Sequence, residues 1–128
     1  MANAPAKTVA IIGASSDRRK FGNKALRAFR NRGYTVVPIN PREKEIEGER
    51  AYPSVLKYSG PIDEATVYVP AGAGVRVMDE IAKKGIKTVW LNPGADDPEV
   101  VARARKLGLD AITRCSIRAI GESPSNYY

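Results

Sequence analysis

The sequence predicts an α/β fold in which a parallel sheet of about five strands carries helices on both faces. Two observations predict it. Short apolar runs rich in β-branched residues alternate with segments whose apolar residues recur at helical spacing, and this alternation implies right-handed crossovers between parallel strands. The chain has 128 residues, of which 43% are apolar, and this is enough for one packed core but not for two.

The predicted strands are short apolar runs bounded by turn-forming residues. The first run ends at Gly13 and is typical of a strand that is buried on both faces of a sheet. The runs cover residues 7–12, 34–39, 65–69 and 86–91, with a weaker run at 109–113.

Three helical patterns lie between the strands, and each is followed by a glycine. Glycine readily adopts the left-handed conformation that ends many helices, and Asp97 followed by Pro98 is a favourable start for the third helix. The apolar positions are Ala25, Leu26 and Phe29 before Gly33; Val75, Met78, Ile81 and Ala82 before Gly85; and Val100, Val101, Ala104 and Leu107 before Gly108.

This order of elements is that of a Rossmann-like three-layer sandwich, and we expect a single domain over residues 1–128. Residues 1–6 and 123–128 are predicted to be tails. Residues 42–58 interrupt the alternation and are predicted to form a solvent-exposed excursion. Its apolar anchors are predicted to be Ile46, Tyr52 and Leu56.

The functional site is expected in the loops that follow the strands. In sheets of this kind, ligands bind beyond the carboxyl ends of the strands, beside the first strand. The loops concerned begin at Gly13, Asn40, Pro70 and Asn92.

The net charge of +7 is confined to one part of the chain. Residues 1–32 contain eight lysines and arginines and one acid, Asp17, whereas residues 33–128 contain 13 residues of each sign. A strongly basic protein is a candidate nucleic-acid binder. Here the whole excess belongs to the segment around the first strand and the first helix.

Residue counts exclude several function classes. No apolar run approaches the ~20 residues of a membrane-spanning helix, and the first residues lack the features of a signal peptide, so we expect a cytoplasmic protein. The chain contains no histidine and a single cysteine, Cys115. We therefore expect no metal site, no internal disulfide and no histidine-based catalytic triad.

The loop after the first strand is predicted to bind phosphate. Its small residues let an anion approach the backbone, and the N–H groups at the start of the following helix bind such anions. The loop and the helix start contain Gly13, Ala14, Ser15 and Ser16, followed by Phe21 and Gly22.

Three consecutive cations, Arg18, Arg19 and Lys20, stand just before the first helix. The helix dipole disfavours positive charge there by roughly 0.3–1 kcal/mol per exposed residue, and a bound polyanion would remove this conflict. Projection of Arg18 to Lys20 into water is the alternative. A second set of cations recurs at helical spacing and favours a solvent-exposed helix face: Lys24, Arg27 and Arg30.

The spacing of the loop glycines argues against an NAD site. The dinucleotide fingerprint needs three closely spaced glycines and an acid after the second strand, but Gly13 and Gly22 stand nine residues apart and the second strand is followed by Asn40, Pro41 and Arg42. A cation at that point suits a nucleotide with a phosphate on its ribose, which leaves NADP and coenzyme A. For Asn40 and Pro41 alone, an ordinary strand-ending turn is an alternative.

Several short segments occur in order along the chain: Ile12-Gly13-Ala14-Ser15 with Lys20-Phe21-Gly22-Asn23, Val37-Pro38-Ile39-Asn40-Pro41, Ile46-x-Gly48, Tyr52-Pro53-Ser54, Val69-Pro70, and Trp90-Leu91-Asn92-Pro93-Gly94-Ala95. Together they resemble the small bacterial and archaeal CoA-binding proteins, which are related to the CoA-binding domain of the succinyl-CoA synthetase alpha subunit. The resemblance extends from about Thr8 to Ile117. No single segment is specific, but the ordered set is.

The resemblance implies a Rossmann-like domain that binds coenzyme A or an acyl-CoA, with the phosphates at residues 13–16 and 20–22. It also implies a place for the rest of the ligand. Asn40, Pro41 and Arg42 would lie near the ribose phosphate and adenosine, Val69, Pro70 and Ala71 would wall the nucleotide, and Asn92, Pro93, Gly94 and Ala95 would line the route of the pantetheine arm.

The same resemblance implies a binding module without catalysis of its own. The phosphohistidine chemistry of the synthetase needs a second domain and a histidine, and this chain has no histidine. The expected partner is a small-molecule CoA ligand. Neither a membrane nor a nucleic acid is expected, while a partner protein or a homo-oligomer is left open.

Cys115 follows the last predicted strand. A cysteine there is usually a small buried hydrophobic residue, and the alternative is a thiol that contacts the sulfur of CoA and forms a mixed disulfide with it. Mass spectrometry after oxidation in the presence of CoA tests this hypothesis. An adduct at Cys115 supports the contact, and an unmodified thiol contradicts it.

Two other functions are alternatives to CoA binding. An NADP-binding reductase module would need a catalytic acid, for which Tyr52, Tyr58 and Tyr68 are candidates, but none stands in a Tyr-x-x-x-Lys pair. A nucleic-acid-binding protein would show steeply salt-dependent retention on DNA or RNA. The basic segment lacks the aromatic platforms on which bases would stack.

Overall fold

The computed structural model describes residues 6–128. Within this range the strands are β1 Thr8–Ile12, β2 Thr35–Ile39, β3 Glu45–Ile46, β4 Glu49–Arg50, β5 Glu64–Val67, β6 Thr88–Leu91 and β7 Asp110–Ile112. The helices are α1 Phe21–Asn31, α2 Ala71–Lys84, α3 Pro98–Lys106 and α4 Ser116–Ala119, with short 3-10 turns at Val55–Lys57 and Pro124–Asn126. None of these helices is long and apolar enough to cross a membrane.

Five parallel strands form one sheet in the order β2-β1-β5-β6-β7, which confirms the predicted fold. β1 pairs with β2 on one side and with β5 on the other. The chain therefore builds outward from β1 in one direction and then crosses back to build in the other. The carboxyl ends of β1 and β5 flank this switch point, which is where ligands bind in open α/β sheets.

Apolar side chains fill both faces of the sheet and give the three predicted layers. On one face, Leu26 and Phe29 of α1 pack with Ile117 of α4. On the other face, Met78 of α2 packs with Val100 of α3. All five side chains have no solvent exposure, so burial of helical apolar stripes on each face holds the layers together.

The predicted helix ends are confirmed. Gly33, Gly85 and Gly108 follow α1, α2 and α3 with φ angles of 87°, 91° and 79°, in the left-handed region that glycine adopts without strain. At the start of α3, the side chain of Asp97 accepts a hydrogen bond of 3.0 Å from the backbone N–H of Glu99. The cap therefore satisfies a backbone group that the helix itself leaves unpaired.

The segment 42–58 forms the small β3–β4 hairpin and the first 3-10 turn. Glu47 and Gly48 make the hairpin turn with φ angles of 52° and 79°. Ile46 anchors the hairpin with 1% exposure, as predicted, but Leu56 is 40% exposed and its predicted role as an anchor is wrong. The side chain that turns inward at the 3-10 turn is that of Val55, with 1% exposure.

The predicted tail at residues 123–128 is wrong, because this segment packs back onto α1. Pro124 is buried in the second 3-10 turn, the ring of Tyr127 packs against the apolar cluster around α1, and its hydroxyl donates to Glu122. Arg32 Nε lies 2.7 Å from the carboxylate of Glu122. These contacts anchor the segment, although its polar sequence gives no sign of them. Of the other predicted tail, residues 1–5 lie outside the described residues, and Ala6 is exposed.

A buried polar network joins β5 and the loop after β6 to the start of α4. The Nδ2 group of Asn92 donates to Thr66 Oγ1 at 2.7 Å and to the Val67 carbonyl at 3.0 Å, and its Oδ1 accepts from the Ser116 N–H at 2.8 Å. The Ser116 hydroxyl lies 2.7 Å from Thr66 Oγ1 and 3.2 Å from the Tyr68 hydroxyl. Burial raises the pKa of Tyr68 to about 12, so its hydroxyl stays protonated.

Candidate functional site

A cleft of about 530 Å³ opens at the carboxyl ends of the parallel strands. It lies at the switch point beside β1, where the sequence predicts the site. Its walls come from the loops after β1, β2, β5 and β6 and from the first turn of α1. The lining residues are Gly13, Ala14, Ser15, Lys20, Phe21, Gly22, Asn40, Tyr68, Val69, Pro70, Pro93, Gly94 and Ala95.

The floor of the cleft depends on two glycines that let backbone approach backbone. Gly13 has a φ of 95°, and a Cβ there would meet the Tyr68 carbonyl oxygen at 2.8 Å. A Cβ on Gly22 would lie 2.1 Å from the carbonyl oxygen of Gly13. The start of α1 therefore packs directly onto the loop after β1. Glycines allow the same close packing in dinucleotide-binding turns, where the spacing between the glycines is different.

This close approach presents backbone donors at the start of α1. Within residues 6–128, the N–H groups of Ser15, Phe21 and Gly22 have no hydrogen-bond acceptor in the protein, and all three residues line the cleft. Unpaired N–H groups at a helix N-terminus together with the helix dipole favour an anion. The arrangement is therefore suited to an anion such as phosphate or carboxylate.

The three cations before α1 have different surroundings. Arg18 Nε lies 3.3 Å from a Glu47 carboxylate oxygen, and Arg19 forms a 2.9 Å ion pair with Asp17. The hydrogen bonds from Arg19 lower the pKa of Asp17 to about 2. Lys20 lines the cleft and, within the described part of the chain, has no carboxylate at ion-pair distance. Lys20 is therefore the cation available to a bound anion.

Lys24, Arg27 and Arg30 of α1 are predicted to form a solvent-exposed face, but in the structure they contact other parts of the protein. Arg30 is exposed, as predicted, and forms a 3.0 Å ion pair with Glu49. Arg27 is half-buried and donates to Asn23 Oδ1 at 2.7 Å. Lys24 is also half-buried and lies 5.3 Å from the centre of the Phe21 ring. The helix face thus contacts neighbouring segments of the protein rather than solvent alone.

Asn40 lines the cleft but has its polar groups engaged within the protein. Its Nδ2 donates to the Ala14 carbonyl at 2.9 Å, and its Oδ1 accepts from the N–H groups of Arg42 and Glu43 at 2.8 and 2.9 Å. The side chain therefore closes a tight turn after β2 and fixes the loop after β1 to it. The turn considered for Asn40 is therefore present, whereas its contact with a ligand stays a prediction.

The carboxylate of Glu43 accepts a hydrogen bond from one backbone N–H group of the loop after β1. It accepts a 3.0 Å hydrogen bond from the Ser16 N–H and lies 3.5 Å from Asn40 Nδ2. The hydrogen bond from Ser16 lowers the pKa of Glu43 below its usual range, and the charge of Lys20 adds to this effect. A negative charge is therefore already held beside the loop, where it competes with an incoming anion.

Twelve of the candidate residues from the sequence line the cleft, and six do not. The six are Ser16, Arg18, Pro41, Arg42, Ala71 and Asn92. Ser16, Pro41 and Arg42 are exposed beside its rim, whereas Asn92 is buried in the polar network beneath the loop after β6. Tyr68 also lines the cleft, although the sequence indicates it only as a candidate acid for the NADP alternative and not as a residue that binds the ligand. Its place directly before Val69, at the end of a strand, is the signal that would have identified it.

A second cavity of about 510 Å³ adjoins the cleft, and the two share Phe21, Tyr68 and Pro93. Cys115 lines this second cavity rather than the cleft and is half-buried, with a free thiol. The predicted contact between Cys115 and the sulfur of a ligand stays a prediction. Within residues 6–128, no cluster of three or more His, Cys, Asp or Glu side chains could hold a metal ion.

The fold and the cleft together define a Rossmann-like α/β protein with a cleft at the switch point of its sheet. A family model described as a CoA binding domain matches residues 7–120. The chain therefore belongs to the CoA-binding domain family, which confirms the resemblance seen in the sequence.

Known relatives include ligases much longer than this chain. The alpha subunit of an ADP-forming acetate–CoA ligase from Pyrococcus furiosus is 37% identical over an alignment of 115 positions, which covers 81% of this chain and 25% of that protein. An ADP-forming acetate–CoA ligase from Archaeoglobus fulgidus is 40% identical over 81 residues, or 63% of this chain and 12% of the relative. This chain thus spans a quarter or less of the length of these ligases.

Solved structures of similar fold also include a short chain and a much longer synthetase. A conserved hypothetical protein from Pyrococcus furiosus superposes with a TM-score of 0.82 at 32% identity, covering 88% of this chain and 98% of that one. The apo form of a dinucleotide-forming acetyl-coenzyme A synthetase from Candidatus Korarchaeum cryptofilum superposes with a TM-score of 0.74 at 30% identity, covering 84% of this chain and 26% of that one. The fold described here therefore occurs both as a short chain and within a longer one.

Replacing Gly22 with alanine tests the close approach that forms the cleft. We expect Gly22→Ala to lower the free energy of unfolding by about 1–3 kcal/mol, the usual cost of forcing extra atoms into a packed contact. Gly72→Ala is the matched control, because Gly72 is also the second residue of a helix and a Cβ there would meet nothing within 4 Å. Chemical denaturation followed by circular dichroism measures both. Equal stability of the two variants would contradict this view of the contact.

Proposed function

We propose that this protein binds coenzyme A or an acyl-CoA, with the phosphates of the ligand at the loop after β1 and the start of α1. The observation that carries the proposal is the cluster of unpaired N–H groups of Ser15, Phe21 and Gly22 beside the free cation of Lys20. Membership of the CoA-binding domain family supports the identity of the ligand.

In this proposal both the backbone N–H groups and the Lys20 side chain bind the phosphates. The N–H groups fix the position of the phosphate oxygens, because their directions are set by the backbone. Lys20 supplies a charge-assisted contact, which is stronger than a contact between neutral groups. Arg18 contributes less, since its guanidinium is paired with Glu47 outside the cleft.

The rest of the ligand would run along the cleft from the carboxyl end of β2 to that of β6. Asn40, Pro41 and Arg42 would lie near the ribose phosphate and adenosine, and Val69 and Pro70 would wall the nucleotide, with Ala71 directly behind them. Pro93, Gly94 and Ala95 would line the route of the pantetheine arm, and the buried Asn92 would hold their loop in place. Cys115 would lie beyond the end of that arm, in the adjoining cavity.

We propose a binding role without catalysis of its own, in the cytoplasm. The ligase activity named for the relatives belongs to chains of which this one spans a quarter or less. Assembly with a partner protein or a second copy is part of the same proposal, because the Pyrococcus furiosus relative is a ligase subunit. Binding of NADP is the first alternative function, and binding of nucleic acid is the second.

A thermal-shift and calorimetric panel tests the proposal directly. With coenzyme A at about 100 times its Kd, the midpoint of unfolding should rise by roughly 10 °C, and 3′-dephospho-CoA should give a smaller rise. Lys20→Met should weaken binding of coenzyme A about tenfold, the loss expected for one charged contact. Arg19→Met is the matched control, with a change below about threefold, because Arg19 is already paired with Asp17.

Three outcomes of this panel would contradict the proposal. The first is no stabilisation by coenzyme A at millimolar concentration. The second is an equal response to NADP, which favours the reductase alternative. The third is weak binding of all nucleotides together with steeply salt-dependent retention on DNA or RNA, which favours the nucleic-acid alternative.

Glu43→Gln tests whether a carboxylate competes with the ligand at the loop. At pH 7 we expect the variant to bind coenzyme A about fivefold more tightly, the ~1 kcal/mol interaction of two like charges ~4 Å apart in water. Isothermal titration calorimetry measures the affinity. Weaker binding by Glu43→Gln would instead mean that the carboxylate holds the loop in its binding shape.

The same variant has a predicted effect on the pH dependence of stability. The folded protein holds the pKa of Glu43 below its ordinary value of 4.5. The contact with Ser16 therefore stabilises the folded state above that value, and its contribution disappears as the pH falls through the lowered pKa. Glu43→Gln should lack this part of the acid dependence.

A further inference from the structure

The second cavity begins where the cleft ends. It shares Phe21, Tyr68 and Pro93 with the cleft, and its other walls come from α1, α4 and the C-terminal segment 123–128. A ligand that runs along the cleft past Pro93 therefore enters this cavity next. In the function proposed above, the part of the ligand that arrives there is the sulfur end with whatever acyl group it carries.

Aromatic rings form much of the cavity wall. Phe21 and Tyr128 are 54% and 84% exposed, so their rings are open to a ligand. Tyr68 is held from behind by the hydrogen bond of its hydroxyl to Ser116 at 3.2 Å. Burial of such rings by a hydrocarbon chain is favourable, and the cavity is therefore suited to the methylene groups of an acyl chain.

Two cations line the same cavity without an acidic partner. They are Lys24 of α1 and Arg118 of α4. The Nζ of Lys24 lies 5.3 Å and 5.9 Å from the centres of the Phe21 and Tyr128 rings. No aspartate or glutamate lines the cavity, and within residues 6–128 neither cation has a carboxylate at ion-pair distance, whereas Arg18, Arg30, Arg32 and Arg103 do.

We infer that the second cavity binds the acyl group of an acyl-CoA and prefers acyl groups that end in a carboxylate. This inference rests on the proposed function. The methylene groups contact the rings of Phe21 and Tyr68, and the terminal carboxylate contacts Lys24 and Arg118. Two unpaired cations from different helices give a preference for an anion that a wall of aromatic rings alone would not give.

Glutaryl-CoA and valeryl-CoA are the matched probes, because both carry a five-carbon acyl chain and they differ in a terminal carboxylate against a terminal methyl group. Isothermal titration calorimetry at about 0.15 M salt should show glutaryl-CoA binding roughly tenfold more tightly than valeryl-CoA. In the double variant Lys24→Met with Arg118→Met, the two affinities should become equal within about twofold. The affinity for coenzyme A itself should stay within about threefold of the unmodified protein.

A second double variant controls for the loss of charge. Lys83 and Arg105 are exposed on α2 and α3 and lie outside both cavities. Lys83→Met with Arg105→Met removes the same charge and should keep the preference for glutaryl-CoA. Circular dichroism of both double variants checks that they are folded.

The outcomes separate this inference from the proposed function. Equal binding of the two probes by the unmodified protein, or tighter binding of valeryl-CoA, overturns the inference while leaving CoA binding intact. A preference that survives in the Lys24→Met, Arg118→Met variant also overturns it. Failure of coenzyme A and of both probes to bind overturns the proposed function and the inference together.

Discussion

The close packing of the start of α1 on the loop after β1 is the contact on which the site depends. A Cβ on Gly22 would lie 2.1 Å from the Gly13 carbonyl oxygen, so the two segments meet backbone to backbone. Ser15, Phe21 and Gly22 line the cleft at this contact, and their N–H groups have no acceptors in the described chain. The turn after β2 is tied to the same loop through the hydrogen bond from Asn40 to Ala14.

Many of the cations in the first quarter of the chain form ion pairs in the structure. Acidic residues far along the chain neutralise much of it, since Glu47 pairs with Arg18, Glu49 with Arg30 and Glu122 with Arg32. What stays free at the cleft is Lys20. Ion pairing leaves the net charge of +7 unchanged, but within residues 6–32 only Lys20, Lys24 and Arg27 have no aspartate or glutamate at ion-pair distance. Such a small local set of free cations suits a compact phosphate ligand better than the long backbone of a nucleic acid.

Local patterns predicted the parts of the fold that local chemistry determines, such as the order of strands and helices and the glycine after each long helix. The position of the cleft followed from the order of elements. Partners distant in the chain could not be predicted: the pairing of Arg18 with Glu47, the carboxylate of Glu43 at Ser16, and the packing of residues 123–128 on α1. Each needs tertiary contacts between segments whose own sequences give no sign of them.

The central claim is that the loop after β1 and the start of α1 bind the phosphates of coenzyme A. Titration of the ¹⁵N-labelled protein with coenzyme A, followed by two-dimensional NMR, tests it at single backbone groups. We predict that the largest changes in chemical shift fall on the N–H groups of Ser15, Phe21 and Gly22. Changes concentrated around Arg27 and Arg30, with those three groups unchanged, would contradict the claim.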